Sequence, residues 1–318
     1  MEKIRYISVL ALAAAISSGC HGSTGKTAQV DSDSLSDTSM TSGVDDMQVS
    51  GLSDSSITND SDSNLESISE ASSSQGGTAN NSDSSSSSKG KIDGKQRLLN
   101  AYPDKIKEIK NNTIYFTDGT TMIYDDGKEK DFVYMLDNSD PEDMFFYEYD
   151  TSATTPEYLH DVGRSRSEQL FKKLYGSSSS AVSKQLVSVP WFGGNVKFSS
   201  SNNAAKQLEK VYKELSQHPE LKKYLKSSGT FYWRNVRGAN RLSAHSYGIA
   251  IDIGVDYSDY WLWKNPGAPE TKKITYKNRI PMQIVEIFEK YGFVWGGRWY
   301  HYDTMHFEYR PELNPPQK

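Results

Sequence analysis

Large aromatic side chains are confined to one part of this 318-residue chain, and this confinement restricts where a folded core can form. Tyr6 is the only aromatic residue before Tyr102, and all six tryptophans lie between Trp191 and Trp299. Aromatic side chains supply much of the buried area of protein cores and binding sites. The C-terminal part, roughly 200 residues, must therefore hold the folded structure, and it is long enough for one sizeable core.

The segment before this part has the composition of an unfolded chain. Residues 21–90 are rich in serine and carry eleven acidic and two basic side chains. So few apolar residues cannot bury enough surface to offset the entropy lost on ordering. We therefore predict that residues 20–95 form a disordered tether, with a root-mean-square span of roughly 40–50 Å. Residues 91–318 carry a net charge of +3 without a basic stripe, so no nucleic-acid partner is expected.

Residues 1–19 have the pattern of an export signal peptide. Lys3 and Arg5 precede an apolar run, residues 7–16, which is shorter than the ~20 residues that a bilayer span needs. Small residues then lead to Cys20, the only cysteine of the chain. This order resembles the lipobox of bacterial lipoproteins and implies acylation of Cys20. We therefore predict an exported protein of the bacterial cell envelope, lipid-anchored to a membrane; an ordinary signal peptide with an incidental cysteine is the alternative.

The C-terminal part mixes helical and strand patterns. Asp118 and Gly119 stand between two alternating runs and predict a hairpin. Ser165 and Glu168 predict a capping box for a helix that ends at Gly176. The patterns further predict helices over residues 203–217 and 281–291, and strands over residues 184–192, 229–233, 249–255, 293–295 and 305–310. Short connections between neighbouring strands favour an α+β fold with a small antiparallel sheet flanked by helices.

The predicted strand at residues 249–255 carries a carboxylate among apolar side chains. Ile251 and Ile253 alternate with Asp252, so Asp252 must face away from the isoleucines. Burying an unpaired carboxylate costs several kcal/mol, so Asp252 needs a cation, and its immediate neighbours are not basic. Gly248 lets the chain turn sharply, so His245 can fold back toward Asp252.

A histidine in the last predicted strand can complete a metal site. His306 alternates with apolar residues and therefore faces away from the core. If its strand pairs with that of Asp252, then His245, Asp252 and His306 can converge. Two histidines and one aspartate leave the fourth position of a tetrahedral zinc ion open for water, as catalytic sites require. Asp303 can lie beside that water as general base.

These residues also carry a resemblance to a known family. SAHSYGIAID at residues 243–252 matches the S-x-H-x-x-G-x-A-x-D signature of the D-alanyl-D-alanine carboxypeptidase family of zinc peptidases. That family includes VanY-like carboxypeptidases and phage L-alanyl-D-glutamate endopeptidases. WGGRW followed by DTMHFE resembles the second signature of its endopeptidase-like branch, and the resemblance covers residues 229–312.

The resemblance implies a fold, a cofactor and a set of roles. It implies the hedgehog/D-Ala-D-Ala peptidase fold with one zinc ion per chain, held by His245, Asp252 and His306, and with Asp303 as base. The carboxypeptidases usually have Glu as base, so Asp303 indicates the endopeptidase-like branch. We assign the zinc peptidase domain to residues 201–318 and an accessory region to residues 96–200.

The family also uses an upstream arginine to polarise the scissile carbonyl. Arg234, Arg237 and Arg241 are candidates, and Arg234 is favoured because it ends the predicted strand at residues 229–233. By the same resemblance, Ser243 contacts the substrate. Trp299 is a further candidate for substrate binding, although both it and Trp295 can instead cover the edge of the sheet.

Other polar residues have simpler interpretations. His301 can bond the oxyanion, but a surface histidine at a strand end is favoured. Glu308 can pair with Arg234 or be a surface charge. His160 and His218 are expected to be solvated.

Two functions from different classes follow. The first is a monomeric zinc peptidase that hydrolyses peptidoglycan stem or cross-link peptides, of the D-Ala-D-Ala carboxypeptidase or L-Ala-D-Glu endopeptidase type. The alternative is a catalytically silent, zinc-stabilised lipoprotein that binds the cell wall. Asp303 favours the peptidase, because a structural zinc site needs four ligands and no base. A surface adhesin is a weaker possibility, because it leaves Asp252 unexplained.

Overall fold

The computed structural model describes residues 93–317. The predicted signal peptide, Cys20 and most of the predicted tether lie outside the described residues. The first helix begins at Gly94, so the last two residues assigned to the tether are helical.

Helices and strands alternate along the described chain. The helices are α1 Gly94–Ala101, α2 Phe132–Asn138, α3 Glu168–Tyr175, α4 Ser179–Ser183, α5 Ala204–Leu215, α6 Trp261–Lys264 and α7 Met282–Lys290. The strands are β1 Ile106–Lys110, β2 Thr113–Phe116, β3 Thr121–Ile123, β4 Leu186–Trp191, β5 Gly194–Ser199, β6 Ser227–Gly229, β7 Ala250–Ile253, β8 Phe293–Trp295 and β9 His306–Tyr309. Every pairing between these strands is antiparallel, which confirms the predicted α+β class with small antiparallel sheets.

The strands that carry the candidate ligands are neighbours in one four-stranded sheet, in the order β6-β7-β9-β8. Strand β7 pairs with β9 in a register that places Asp252 opposite His306 and Ala250 opposite Glu308. Residues opposite each other on paired strands share a face, with Cβ atoms about 4.5–5.5 Å apart. Asp252 and His306 are therefore brought side by side by backbone pairing alone.

Apolar residues of the sheet and of the flanking helices form a continuous core. Ile251 and Ile253 are fully buried, as their alternation with Asp252 predicts. Phe307 stacks on Phe288 of α7 with ring centroids 4.0 Å apart. The same cluster includes Phe171 of α3, from the predicted accessory region. Elements before residue 200 thus help to support the strands that carry the candidate ligands.

Two of the local predictions are wrong. The strand predicted at residues 229–233 is only Ser227–Gly229. The chain leaves the sheet because its next polar groups bond to the turn of His245: the Thr230 carbonyl accepts from His245 Nδ1, and Tyr232 N–H donates to the His245 carbonyl. Helix α3 is capped by Ser167, whose hydroxyl accepts from Leu170 N–H, so the predicted Ser165 cap is wrong.

Other predicted elements agree with the structure within a few residues. Strands β2 and β3 flank the turn at Asp118 and Gly119 and pair with each other, which confirms the hairpin. Gly176 caps the end of α3 at a positive φ of 125°. Across residues 93–317, no helix combines the length and the apolar character that crossing a membrane would require.

Candidate metal centre

Three side chains converge at one end of the β7–β9 pair. His245 Nε2 lies 3.2 Å from Asp252 Oδ2 and 3.2 Å from His306 Nδ1. His306 Nδ1 lies 2.9 Å from Asp252 Oδ1. A tetrahedral zinc ion with bonds of about 2.0–2.2 Å spaces its ligand atoms about 3.3 Å apart. The separations between these nitrogen and oxygen atoms therefore fit the ligand set of such an ion.

His245 is positioned by a short turn before β7. It lies in a 3₁₀ helix, Ala244–Tyr247, whose first residue is preceded by Ser243; the Ser243 hydroxyl accepts from His245 N–H at 3.4 Å. Gly248 ends the turn with φ 65° and ψ 27°, the left-handed conformation that glycine adopts at least cost. The chain thus reverses within a few residues, and His245 returns to Asp252.

In each histidine, the ring nitrogen that faces away from Asp252 lies within hydrogen-bond distance of an oxygen acceptor. His245 Nδ1 lies 2.9 Å from the Thr230 carbonyl, and His306 Nε2 lies 3.0 Å from Glu308 Oε1. If these nitrogens carry the protons, the opposite nitrogens present lone pairs toward Asp252. Such outer contacts fix the tautomer and orientation of metal-binding histidines. Glu308 is itself held by Arg166 at 3.1 Å and by Arg310 at 3.1 Å.

Without a metal, a proton takes the place of the cation. Burial opposes protonation of His306, but hydrogen bonds to Asp252 and Glu308 raise its pKa to about 10. Burial would raise the pKa of Asp252, but the charges and hydrogen bonds of His245 and His306 lower it far below its usual value. These directions favour a protonated His306 in the metal-free site, so metal binding there would release a proton.

Asp303 is a carboxylate beside this group whose Oδ1 is buried without a hydrogen-bond partner among the described residues. Its backbone is fixed, because Asp303 N–H donates to the Gly296 carbonyl at 3.0 Å and its carbonyl accepts from His306 N–H at 3.2 Å. Burial, and then the negative charge of Asp252, raise the pKa of Asp303 to about 7. A carboxylate with a pKa near neutrality can both accept and return a proton.

His245, Asp252, Asp303, His306 and Glu308 all line one cavity of about 610 Å³. Five arginines contribute to its wall: Arg164, Arg166, Arg234, Arg237 and Arg241. Arg234 and Arg237 are exposed, and neither forms an ion pair with a carboxylate within residues 93–317. The backbone of Arg234 is anchored, since its N–H donates to Ser246 Oγ at 3.0 Å and its carbonyl accepts from the same hydroxyl at 2.8 Å. Arg234 lies in a loop, so its predicted place at the end of a strand is wrong.

Arg241 is the only one of the three predicted arginines that is buried. Its guanidinium pairs with Asp137 of α2 at 2.5 Å. Burial, and then the nearby charges of Arg164 and Arg166, lower its pKa to about 10. The three arginines at 164, 166 and 241 are thus close enough to repel one another, although each is paired with a carboxylate.

Ser243 and Trp299 both line the cavity, as a substrate contact requires. The Trp299 ring lies 5.6 Å from the His306 ring. Trp295 is different: it is buried, and its Nε1 donates to the Thr304 carbonyl at 2.9 Å. Trp295 therefore belongs to the core and does not line the cavity.

Two interpretations of polar residues are corrected by the structure. His301 is 1% exposed, and its Nδ1 lies 2.5 Å from Asp161 Oδ2, so it is not a surface histidine. Glu308 is equally buried and bonds to His306 and two arginines, so it is neither a surface charge nor a partner of Arg234. His160 and His218 are half-buried and hydrogen-bonded.

Arg164 and Arg166 line the cavity, and sequence patterns did not predict this. Arg164 lies between Asp161 and Glu270, 2.6 Å from the first and 2.9 Å from the second. Asp161, Glu270 and His301 also have metal-ligand spacing, but Arg164 already supplies the cation that these carboxylates need. No periodicity marks this short segment, and only the folded chain brings it to β9.

Comparison with known proteins identifies the stretch that carries this geometry. Residues 237–309 match the family model of D-alanyl-D-alanine carboxypeptidase, a family of zinc peptidases. The match confirms the family resemblance and covers His245, Asp252, Asp303 and His306. No curated protein and no solved structure matches the chain significantly.

Proposed function

We propose that this protein, whose residues 237–309 match the D-alanyl-D-alanine carboxypeptidase family, is a zinc-dependent peptidase of the bacterial cell wall. Its substrates would be stem or cross-link peptides of peptidoglycan, cut as by a D-Ala-D-Ala carboxypeptidase or an L-Ala-D-Glu endopeptidase. The observation that carries the proposal is the convergence of His245 Nε2, Asp252 and His306 Nδ1 next to Asp303, whose Oδ1 lacks a partner among the described residues.

Zinc fits this donor set. Two imidazoles and one carboxylate are typical ligands of catalytic zinc, and such sites keep one position open. A zinc ion held there would lower the pKa of a water molecule and polarise the scissile carbonyl. The distal nitrogens of both histidines face acceptors, as zinc-binding histidines require.

The chain supplies the remaining groups. Asp303 accepts the proton of the attacking water and returns it to the leaving amine, a role that its unpartnered Oδ1 in the cavity allows. Arg234 stabilises the negative charge that develops on the carbonyl oxygen. Because Arg234 and Arg237 have no carboxylate partner within residues 93–317, they can also bind a carboxylate of the substrate.

Export and anchoring belong to the same proposal. A cell-wall peptidase acts outside the cytoplasm, and residues 1–19 have the pattern of a signal peptide. Acylation of Cys20 would keep the enzyme at the membrane, and the serine-rich segment would let it reach the nearby polymer.

Digestion of purified muropeptides tests the function. The full-length chain should bind about one zinc and release products that mass spectrometry identifies, which also decides which bond is cut. His245→Ala should lose both zinc and hydrolysis, whereas His160→Ala, a histidine outside the cavity, should retain both. Zinc binding without any hydrolysis would support the catalytically silent lipoprotein instead.

A further inference from the structure

Positive charge is concentrated in the segment that runs from the start of α6 to the start of α7. Residues 261–281 carry five basic side chains and one acidic side chain, a net charge of +4, while residues 93–317 as a whole carry +1. The basic residues are Lys264, Lys272, Lys273, Lys277 and Arg279. This segment is therefore strongly basic compared with the described chain as a whole.

Trp263 connects the catalytic cavity to a second hollow. Its side chain is 49% exposed, which is unusual for tryptophan, and it lines the catalytic cavity. It also lines an adjoining hollow with Tyr276, Lys264, Lys277 and Arg279. A ligand that extends out of the cavity can therefore continue over Trp263 into the basic hollow.

Two of the cations in the hollow are available to a ligand. Arg279 is engaged, because its Nε lies 2.9 Å from Asp259 and its Nη1 donates to the Asp256 carbonyl at 3.1 Å. Lys264 and Lys277 are exposed, and neither forms an ion pair within residues 93–317. The hollow thus presents two ammonium groups beside an exposed indole.

The segment is fixed to the rest of the protein at several points. Glu270 pairs with the buried Arg164 at 2.9 Å. Tyr158 OH donates to the Thr271 carbonyl at 2.8 Å, and Ile274 N–H donates to Tyr300 OH at 2.7 Å. A surface that is already ordered loses little conformational entropy when a ligand binds.

We infer that the hollow between Trp263, Lys264 and Lys277 binds the polymer that continues beyond the cleaved peptide, a glycan strand whose attached peptides bear carboxylates. An indole face offers flat apolar area against the C–H face of a sugar ring, and lysines attract carboxylates at the surface. The inference rests on the proposed function, because it assigns the catalytic cavity to the peptide of the same polymer.

A binding assay with insoluble cell-wall polymer tests the role of the hollow between Trp263, Lys264 and Lys277. The full-length Asp303→Asn chain is used so that the polymer stays intact, and the bound fraction is measured by sedimentation at several salt concentrations. Lys264→Gln/Lys277→Gln should bind about tenfold more weakly at low salt and with a smaller salt dependence. Trp263→Ala should also weaken binding. The matched control is Lys184→Gln/Lys197→Gln, two exposed lysines away from both hollows, which should bind as the parent does.

Chemical modification of the polymer tests which of its charged groups the two lysines bind. Amidation of its carboxylates should abolish the difference between parent and Lys264→Gln/Lys277→Gln, whereas removal of attached phosphate polymers should preserve that difference. The inference is overturned if the lysine variant binds like its control, or if only the phosphate polymers matter. Failure of the proposed function would appear separately, as no hydrolysis of a short soluble peptide by the unmodified chain.

Discussion

Asp303 holds an unusual position for a carboxylate. Its Oδ1 is buried without a partner among the described residues, in a cavity that five arginines also line. A group that served only stability would be paired, because an unsatisfied buried carboxylate is costly. The cost is explained if Asp303 meets water and substrate during hydrolysis.

Asp303→Asn should separate catalysis from metal binding. The amide keeps the size of the side chain but cannot act as a base, so turnover on a cell-wall peptide should fall about 10²–10⁴-fold. Zinc content, measured by elemental analysis, should stay near one per chain, because the three proposed ligands remain. The control Asp104→Asn changes an exposed carboxylate outside the cavity and should keep full turnover. Loss of zinc in Asp303→Asn would make Asp303 a ligand.

Glu308→Gln should weaken zinc binding although it replaces none of the three proposed ligands. The amide holds His306 Nε2 less strongly, and loss of such an outer contact typically costs 10–100-fold in metal affinity. The matched control is Glu312→Gln, another buried carboxylate that pairs with Arg310 and accepts from Tyr102 OH. Both variants should be destabilised, but competition with a zinc chelator should reveal lower affinity only in Glu308→Gln. Equal affinities would remove Glu308 from the zinc site.

At the scale of elements, the turn before β7 decides where His245 lies. Gly248 has a positive φ of 65°, and a Cβ built on it would lie 2.5 Å from Leu186 Cδ2 of β4. The glycine therefore serves two purposes: it allows the left-handed turn, and it lets β4 approach.

Gly248→Ala should lower both stability and zinc affinity. The left-handed backbone costs about 1 kcal/mol with a side chain, and the contact with Leu186 displaces the turn further. Gly127→Ala is the control, because Gly127 has φ 69° but open space around its Cβ position. Thermal unfolding and zinc titration should show a small loss of stability for Gly127→Ala and an additional loss of zinc affinity for Gly248→Ala. Unchanged zinc affinity would show that the turn tolerates displacement.

At the scale of the whole molecule, a largely buried ion cluster joins three segments that are distant in sequence. Asp161 comes from the predicted accessory region, Glu270 from the basic segment and His301 from the approach to β9. Arg164 links the two carboxylates. Burial opposes ionisation of Asp161, but the charges of Arg164 and His301 lower its pKa from 3.8 to about 2.

This shift predicts a dependence of stability on pH. A lowered folded pKa means that Asp161 stabilises the folded chain fully above pH 3.8, and that this contribution is lost as pH falls through about 2. The shift corresponds to about 2 kcal/mol. The free energy of unfolding, measured by urea with a chelator present, should therefore fall by about that much more for the parent than for Asp161→Asn between pH 5 and pH 2. Parallel curves would contradict the prediction.

The predicted anchor is tested on the intact cell. Acylated Cys20 would hold the mature protein in the membrane fraction, so Cys20→Ala should move it to the soluble exported fraction or block its processing. Ser18→Ala, a nearby change that keeps the thiol, is the control. Membrane association that survives Cys20→Ala would exclude acylation of this residue as the anchor.

The local features of the candidate site follow from the amino-acid sequence alone. Alternation placed Asp252 opposite the isoleucines of its strand, and the signature spacing singled out His245, Asp303 and His306, because periodicity and turns depend on neighbouring residues. The side chains that contact these site residues depend on the tertiary structure. Asp161, Arg164 and Arg166 lie far from β9 in sequence, and long-range packing alone brings Arg166 to Glu308 and Asp161 to His301. The same packing buried His301 and took residues 230–233 out of the sheet, because backbone groups there bond to the turn of His245.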